Sequence, residues 1–118
     1  MSELTVEPPS LSPAALRDAA DQAVAALKVL ANTDRLLLLC HLSQGECCVS
    51  DMEAHLGITQ PTLSQQLAVL RRENAVTTRR EGKNIYYQIA DPRLMALLQT
   101  MYAQYCPAPA ANTPPNKD

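Results

Sequence analysis

A chain of 118 residues, 47% of them hydrophobic and with a net charge of −2, has enough sequence for one small domain. It shows no apolar run long enough to span a membrane and no signal peptide, so we expect a cytoplasmic protein without a membrane partner. Three glycines and two isolated histidines supply neither a phosphate-binding loop nor a nucleophile with its base, so we expect no enzyme.

The prolines indicate where the folded domain begins and ends. Seven of the nine lie in residues 1–13 and 107–118, and such a composition favours disorder. We therefore expect disordered tails over residues 1–12 and 107–118, on either side of one domain formed by residues 13–106.

Two helices are predicted in the first part of this domain. Ser12 and Pro13 have the order of a helix cap followed by a first-turn proline, and apolar residues then recur at helical spacing as far as Leu30. Asn32 is a candidate cap for the second helix, which ends near Gly45. This second helix is apolar on nearly every side, so we expect it to be buried.

A helix-turn-helix pattern follows. Ser50 and Glu53 have the spacing of a capping box at the start of a short helix, and Gly57 suits a left-handed helix end. A longer helix is expected to begin near Gln60, with Thr59 as its N-cap. Only Gly57 to Thr59 would separate the two helices. Two helices joined by so short a segment form a helix-turn-helix.

The polar face of the longer helix consists of neutral hydrogen-bonding side chains, whereas a face built for solubility usually carries Glu and Lys. Glutamine can pair with adenine in the major groove, and Ser or Thr can bond bases or phosphates. The candidate DNA-binding residues on this face are Gln60, Thr62, Ser64, Gln65 and Gln66. A neutral solvated surface is the alternative interpretation.

After Asn74 the hydrophobic period changes to two, which predicts a hairpin with its turn at residues 81–84. Residues 1–58 carry three basic side chains against eight acidic ones, whereas residues 59–89 carry five against two. A basic helix end and hairpin on an acidic body favour binding to DNA phosphates, although an ordinary mixed-charge surface is the alternative. The basic candidates for DNA contact are Arg71, Arg79, Arg80 and Lys83.

A final helix is predicted from its cap, Asp91, to Cys106, with a wide apolar stripe. The chain has no Phe, no Trp and only four Tyr, so it lacks the large rings that usually fill a small core. We therefore expect the first and last helices to form a homodimer, which would present two recognition helices to neighbouring half-sites of an operator. The expected fold class is mainly α with one β-hairpin, a homodimeric winged helix-turn-helix that binds double-stranded DNA.

Three segments of the chain resemble the ArsR/SmtB family of dimeric winged-helix repressors. They are Leu30–Leu36, Ile58–Arg72 and the hairpin end Ile85–Tyr87, and the resemblance extends over nearly the whole expected domain. It implies a repressor that occupies an operator and leaves it when an inducer binds.

Most sensors of that family bind metals or arsenite, but their ligand positions are incompletely filled here. The family motif Cys-Val-Cys-Asp corresponds to Cys48–Asp51, where Ser50 replaces the second thiolate. The last helix has no histidine for the family's other site, and neither histidine of the chain has a neighbouring ligand at a zinc spacing. We therefore expect no metal site and no cofactor. A metal- or arsenite-responsive repressor that uses Cys47 and Cys48 is the alternative.

The resemblance implies that Cys40 and Cys106 are the sensor. Their surroundings are similar to those in the sulfide- and persulfide-responsive branch of the family. In that branch, a cysteine at each position reacts with persulfides or oxidants, a disulfide or longer polysulfide joins them, and DNA is released. The resemblance thus implies a repressor whose inducer is a reactive sulfur species or an oxidant. Two alternatives stay open: buried cysteines that act as small hydrophobic residues, and a constitutive DNA-binding protein.

Overall fold

The computed structural model describes residues 11–106, so the predicted tails lie outside it apart from Leu11 and Ser12. The helices of this part are α1 (Pro13–Leu30), α2 (Thr33–Leu42), α3 (Val49–Leu56), α4 (Thr62–Arg72) and α5 (Pro92–Tyr105). The strands are β1 (Cys47–Cys48), β2 (Val76–Glu81) and β3 (Asn84–Ile89). Over residues 11–106, none of the helices has the length and apolar character to cross a membrane.

Side-chain caps fix the starts of three helices, as the sequence predicts. The side chains of Ser12, Asn32 and Asp91 accept a hydrogen bond from a first-turn amide at 3.1, 3.0 and 2.8 Å. Each bond satisfies an amide that has no partner within its helix. The predicted left-handed end of α3 is also confirmed, because Gly57 has a φ of 69°.

The predicted capping box of α3 is wrong. The N-cap residue is Cys48, whose side chain makes no cap hydrogen bond, and Ser50 lies one residue inside the helix. The reason is that β1 runs directly into α3, so the backbone leaves the sheet at Cys48 and is already helical at Ser50.

The predicted start of α4 is also wrong. The helix begins at Thr62, and Thr59 contributes its backbone carbonyl, which accepts from the Leu63 amide, rather than a capping hydroxyl. Gln60 takes over the capping role, because its Oε1 accepts from the Ser64 amide at 3.2 Å and from the Ser64 hydroxyl at 2.6 Å. The long side chain of Gln60, the residue before the N-cap position Pro61, therefore reaches the first turn.

The predicted hairpin is confirmed and forms part of a larger sheet. β2 and β3 are antiparallel, with Glu81 opposite Asn84 and a two-residue turn between them. Gly82 in this turn has a φ of 62°, a conformation that side chains with a Cβ rarely adopt. β1 is not predicted from the sequence, and it pairs with the other side of β3 to give the order β1-β3-β2.

The core lies where α2, α3, α4 and α5 meet the sheet. Its largest fully buried side chains are Leu38, Leu39, Leu42, Met52, Leu63, Leu70 and Leu98. The predicted burial of α2 is thus confirmed for most of its leucines, although Leu37 is 42% exposed.

The first and last helices also leave large apolar side chains in solvent. In α1 only Leu30 is buried, while Leu16, Val24 and Leu27 are exposed. In α5, Leu97 is exposed although Leu94 and Leu98 are buried. These are the two helices from which the sequence predicts a dimer interface.

Candidate DNA-binding surface and thiol sites

Helix α4 has one face in the core and one in solvent. Leu63, Leu67 and Leu70 are buried, so the residues between them point outward. Ser64 and Gln65 are exposed on this outer face, together with Arg71 at its end. An amphipathic helix that follows a short helix and a tight turn has the geometry of a recognition helix.

Three of the predicted base-reading side chains, Gln60, Ser64 and Gln66, already have partners within the protein. Gln60 accepts the hydrogen bonds of Ser64 described above, and Gln66 Oε1 accepts from Arg35 Nη1 at 3.1 Å. Thr62 and Gln66 are half-buried, whereas Gln60 is exposed. Both bonds use the amide oxygen, so the amide nitrogens remain donors, and these contacts orient the side chains without removing their ability to bind.

Arg35 connects three helices, a role that its place in the sequence does not indicate. Its Nε and Nη2 donate to the carbonyls of Val29 and Lys28 at 2.8 and 3.0 Å, while Nη1 reaches Gln66. One side chain of α2 therefore joins the end of α1 to α4. A guanidinium suits this task because its five N–H groups point in fixed directions.

The predicted basic residues fall into two groups. Arg71, Arg80 and Lys83 are exposed, and within residues 11–106 the structure gives none of them an ion pair. Arg79, by contrast, forms ion pairs with Glu46 and Glu81. Its two hydrogen bonds to Glu46 measure 2.7 and 2.8 Å, and its guanidinium carbon lies 4.6 Å from the centroid of the Tyr86 ring.

The electrostatics agree with a close Arg79 ion pair. Hydrogen bonding to Arg79 lowers the pKa of Glu46, and the two carboxylates raise the pKa of Arg79. Both shifts favour the charged forms, because each charge is stabilised by the opposite one. The guanidinium is therefore engaged with carboxylates of its own chain.

Cys40 lies on α2 and Cys106 directly after α5, and these two helices pack against each other. Cys40 is half-buried, Cys106 is exposed at the C-terminal cap of α5, and both are free thiols. Burial raises the pKa of Cys40, and the charge of Cys106 raises this pKa further. The second effect indicates that the two sulfur groups share a neighbourhood.

Cys47 and Cys48 belong to a second cluster. Cys47 Sγ lies 3.5 Å from His41 Nε2, and the rings of His41 and His55 have centroids 5.4 Å apart. Cys48 Sγ lies 3.4 Å from the Ser50 hydroxyl. The loop between α2 and β1 thus gives His41 a thiol neighbour that sequence spacing does not reveal.

Burial and neighbouring charges favour the neutral forms of Cys47 and His41. Burial is the main cause that raises the pKa of Cys47, and Asp51 and Cys48 add to it. Burial and the neighbouring His55 lower the pKa of His41. Across the described part of the chain, no three His, Cys, Asp or Glu side chains are arranged to hold a metal ion.

Comparison with known proteins bears on the fold and the family of this chain. The model of a family described as bacterial regulatory protein, arsR family, matches residues 32–78. A biofilm growth-associated repressor of Agrobacterium fabrum is 47% identical over 98 residues, which are 83% of each chain. The crystal structure of the repressor BigR from Xylella fastidiosa has a TM-score of 0.74 at 37% identity, covering 83% of this chain and 100% of that one.

A further similar structure is that of a homodimer. The homodimeric winged helix-turn-helix domain of Mb0332 from Mycobacterium bovis, a possible ArsR-family regulator, has a TM-score of 0.65 at 31% identity. It covers 82% of this chain and 89% of that domain. Relatives that are this similar over most of their own length are DNA-binding regulators and not enzymes. The chain therefore belongs to the ArsR/SmtB family of winged helix-turn-helix transcriptional repressors.

Proposed function

We propose that this repressor acts as a homodimer and releases its operator when a reactive sulfur species bridges Cys40 and Cys106. The observation that carries the proposal is the packing of α2, which contains Cys40, against α5, which ends next to Cys106. The effect of Cys106 on the pKa of Cys40, 66 positions away in the chain, agrees with it. One thiol belongs to α2 and the other to the end of α5, so a bridge would join two separate elements.

The unequal surroundings of the two thiols suggest an order of reaction. Thiolates are the nucleophiles, and a raised pKa keeps Cys40 mostly protonated at neutral pH. Cys106 is exposed and open to a dissolved reagent. We therefore place the first attack at Cys106, whose thiolate takes the outer sulfur of a persulfide RSSH and releases the thiol RSH.

The second step closes the bridge. The Cys40 thiolate attacks the Cys106 sulfur of the new persulfide, the bond between its two sulfurs breaks, and hydrosulfide leaves. The protein dithiol loses two electrons while the inducer ends as one RSH and one H₂S, so no other oxidant is required. A longer polysulfide bridge consumes one more persulfide for each additional sulfur.

A path from this bridge to the recognition helix follows from Arg35. The bridge would restrain α2 against α5, and α2 carries the guanidinium that bonds Gln66 of α4. A shift of α2 would therefore move α4, and in a dimer it would change the distance between the two recognition helices. Repression would end because both helices must fit their half-sites at once.

The proposed DNA contacts follow the outer face of α4 and the hairpin. Bases are read by neutral side chains near the start of α4, and phosphates are bound by basic side chains at its end and on the hairpin. The residues concerned are Gln60, Thr62, Ser64, Gln65 and Gln66 for bases, and Arg71, Arg80 and Lys83 for phosphates.

The test is operator binding measured without oxygen on reduced protein, before and after a persulfide donor. We expect wild type to release DNA, with mass spectrometry showing the Cys40 and Cys106 peptides cross-linked. Cys40→Ser and Cys106→Ser should bind DNA normally and fail to release it, while Cys48→Ser serves as the matched control and should release it. Persulfide-driven release from both sensor variants would refute the proposal.

A metal- or arsenite-responsive repressor is the second candidate, favoured by the 3.5 Å contact between Cys47 Sγ and His41 Nε2. A thiolate and an imidazole are ligands that soft metals accept. The lack of a three-ligand set within residues 11–106 weighs against it. Under this function, zinc, cadmium or arsenite would release the operator, and Cys47→Ser or Cys48→Ser would abolish that response.

A further inference from the structure

We propose that Arg79 is a positioning residue that holds the wing, the hairpin of β2 and β3, against the body of the repressor through Glu46. In this role it does not contact DNA phosphate itself, although it is one of the basic residues of the wing. The neighbouring residue Arg80 keeps the phosphate-binding role.

The register of the sheet shows how far Arg79 reaches. Arg79 of β2 lies opposite Tyr86 of β3, and Tyr86 lies opposite Cys48 of β1. The guanidinium crosses over the Tyr86 ring and bonds Glu46, which immediately precedes β1. The Arg79–Glu46 ion pair therefore connects the two outer strands of the three-stranded sheet across β3.

Every nitrogen of this guanidinium faces a carboxylate. Nε and Nη2 form the two-pronged pair with Glu46, and Nη1 donates to Glu81. These bonds use three of the five N–H groups, and a DNA phosphate that approaches the other two would be repelled by both carboxylates. No comparable competition exists at Arg80, which is exposed and has no ion pair within the described residues.

The position of the pair explains why the wing needs it. β1 pairs only with Tyr86 and Tyr87, so beyond them the wing continues as two strands without a third neighbour. Arg79, opposite Tyr86, lies at this boundary, and its bonds to Glu46 tie it to the residue that precedes β1. The two side chains of the pair are 48% and 30% exposed, and exposed ion pairs contribute little to global stability. Two-pronged geometry and ring stacking, however, restrict orientation strongly.

The test compares Glu46→Gln, Arg79→Gln and the double variant for operator affinity over a range of salt concentrations. We expect each single variant to weaken binding on the order of 5-fold. The double variant should be no weaker than either single one, because both substitutions remove the same ion pair. The dependence of affinity on salt should stay as in wild type, since the variants bind the same number of phosphates.

Arg80→Gln is the matched control, and it should reduce the salt slope by about 1 for each phosphate that the variant no longer binds. If Arg79→Gln also reduces the slope, Arg79 contacts phosphate and the proposal is wrong. Unchanged or tighter binding by Glu46→Gln is equally incompatible with it. In that case the carboxylate merely competes with DNA for Arg79 or plays no part.

A measurement on the free protein separates positioning from folding. In Glu46→Gln and Arg79→Gln, amide relaxation by NMR should show greater fast mobility at Gly82 and Lys83, with a thermal midpoint close to wild type. Glu81→Gln removes a carboxylate from the same guanidinium but leaves the tie to the body, so its wing should stay as ordered as wild type. Equal wing mobility in all three variants would overturn the proposal.

Discussion

The thiol of Cys40 combines partial burial with a second thiol nearby, and both act on its pKa in the same direction. Burial disfavours the thiolate because it removes water from the charge, and a thiolate at Cys106 disfavours a second negative charge nearby. The reactivity of Cys40 therefore depends on Cys106 before any bond forms between them.

This dependence predicts a pH profile. Because its pKa is raised, Cys40 carries less thiolate than an ordinary cysteine at any given pH, so its alkylation should rise only at higher pH. Cys106→Ser removes the neighbouring charge and should move the Cys40 profile to lower pH. The profile should nevertheless stay above that of an ordinary thiol, because burial is the larger cause. Rates of iodoacetamide labelling of the Cys40 peptide, followed by mass spectrometry, measure this, and an unshifted profile in Cys106→Ser would contradict it.

Among the secondary-structure elements, the N-termini of α2 and α4 differ in which side chain caps the helix. Asn32 caps α2 through its side chain, whereas the hydroxyl of Thr59 has no capping role at α4. Asn32→Ala should therefore lower the free energy of unfolding by about 1 kcal/mol, the usual effect of losing such a cap. Thr59→Ala should leave it within about 0.5 kcal/mol of wild type, as for ordinary surface substitutions.

Urea unfolding monitored by circular dichroism gives both values. Gln60→Ala is the informative companion, since Gln60 accepts from both the amide and the hydroxyl of Ser64. Its removal should destabilise the protein more than Thr59→Ala does. A larger effect at Thr59 than at Gln60 would show that the threonine hydroxyl is the cap after all.

The elements are predictable where their signals are local. The caps Ser12, Asn32 and Asp91 precede the amides they bond by two or three residues, and the hairpin turn has its glycine in place. β1 escapes prediction because two residues carry no periodicity, and its pairing with β3 depends on residues about 40 positions away. The misplaced cap of α3 follows from that missing strand.

The candidate DNA-binding surface also has features that follow from local sequence and features that depend on contacts between distant residues. The exposed face of α4 follows from helical spacing alone. By contrast, the Arg79–Glu46 pair and the Arg35–Gln66 bond join residues 33 and 31 positions apart. Sequence marks such side chains as basic or polar, but it does not show which of them the fold has already partnered. Arg79 is the clearest case, because its charge suggests phosphate while its neighbours are carboxylates.

For the molecule as a whole, charge and apolar surface are segregated. Residues 1–58 carry a net charge of −5 and residues 59–89 a net charge of +3, so the segment that contains α4 and the hairpin is the one whose charge attracts DNA. Within residues 11–106, the large exposed apolar side chains other than Leu11 and Leu37 lie instead on α1 and α5. A second copy of the chain that covers these helices would leave the basic side of each subunit free.

This arrangement predicts that a charged side chain introduced into the apolar surface of α1 will dissociate the dimer. Leu27 is 57% exposed in the single chain, and burying a leucine is worth about 1.5–3 kcal/mol. Two-fold symmetry counts the residue twice, so Leu27→Glu should raise the dimer dissociation constant on the order of 100-fold or more. Sedimentation velocity at micromolar concentration should show a monomer, while circular dichroism should show unchanged helix content. The affinity for the operator should fall because the dimer is lost. Arg17→Glu, which changes an exposed charge on the same helix, is the control for charge alone, and a dimer that survives Leu27→Glu would place the interface elsewhere.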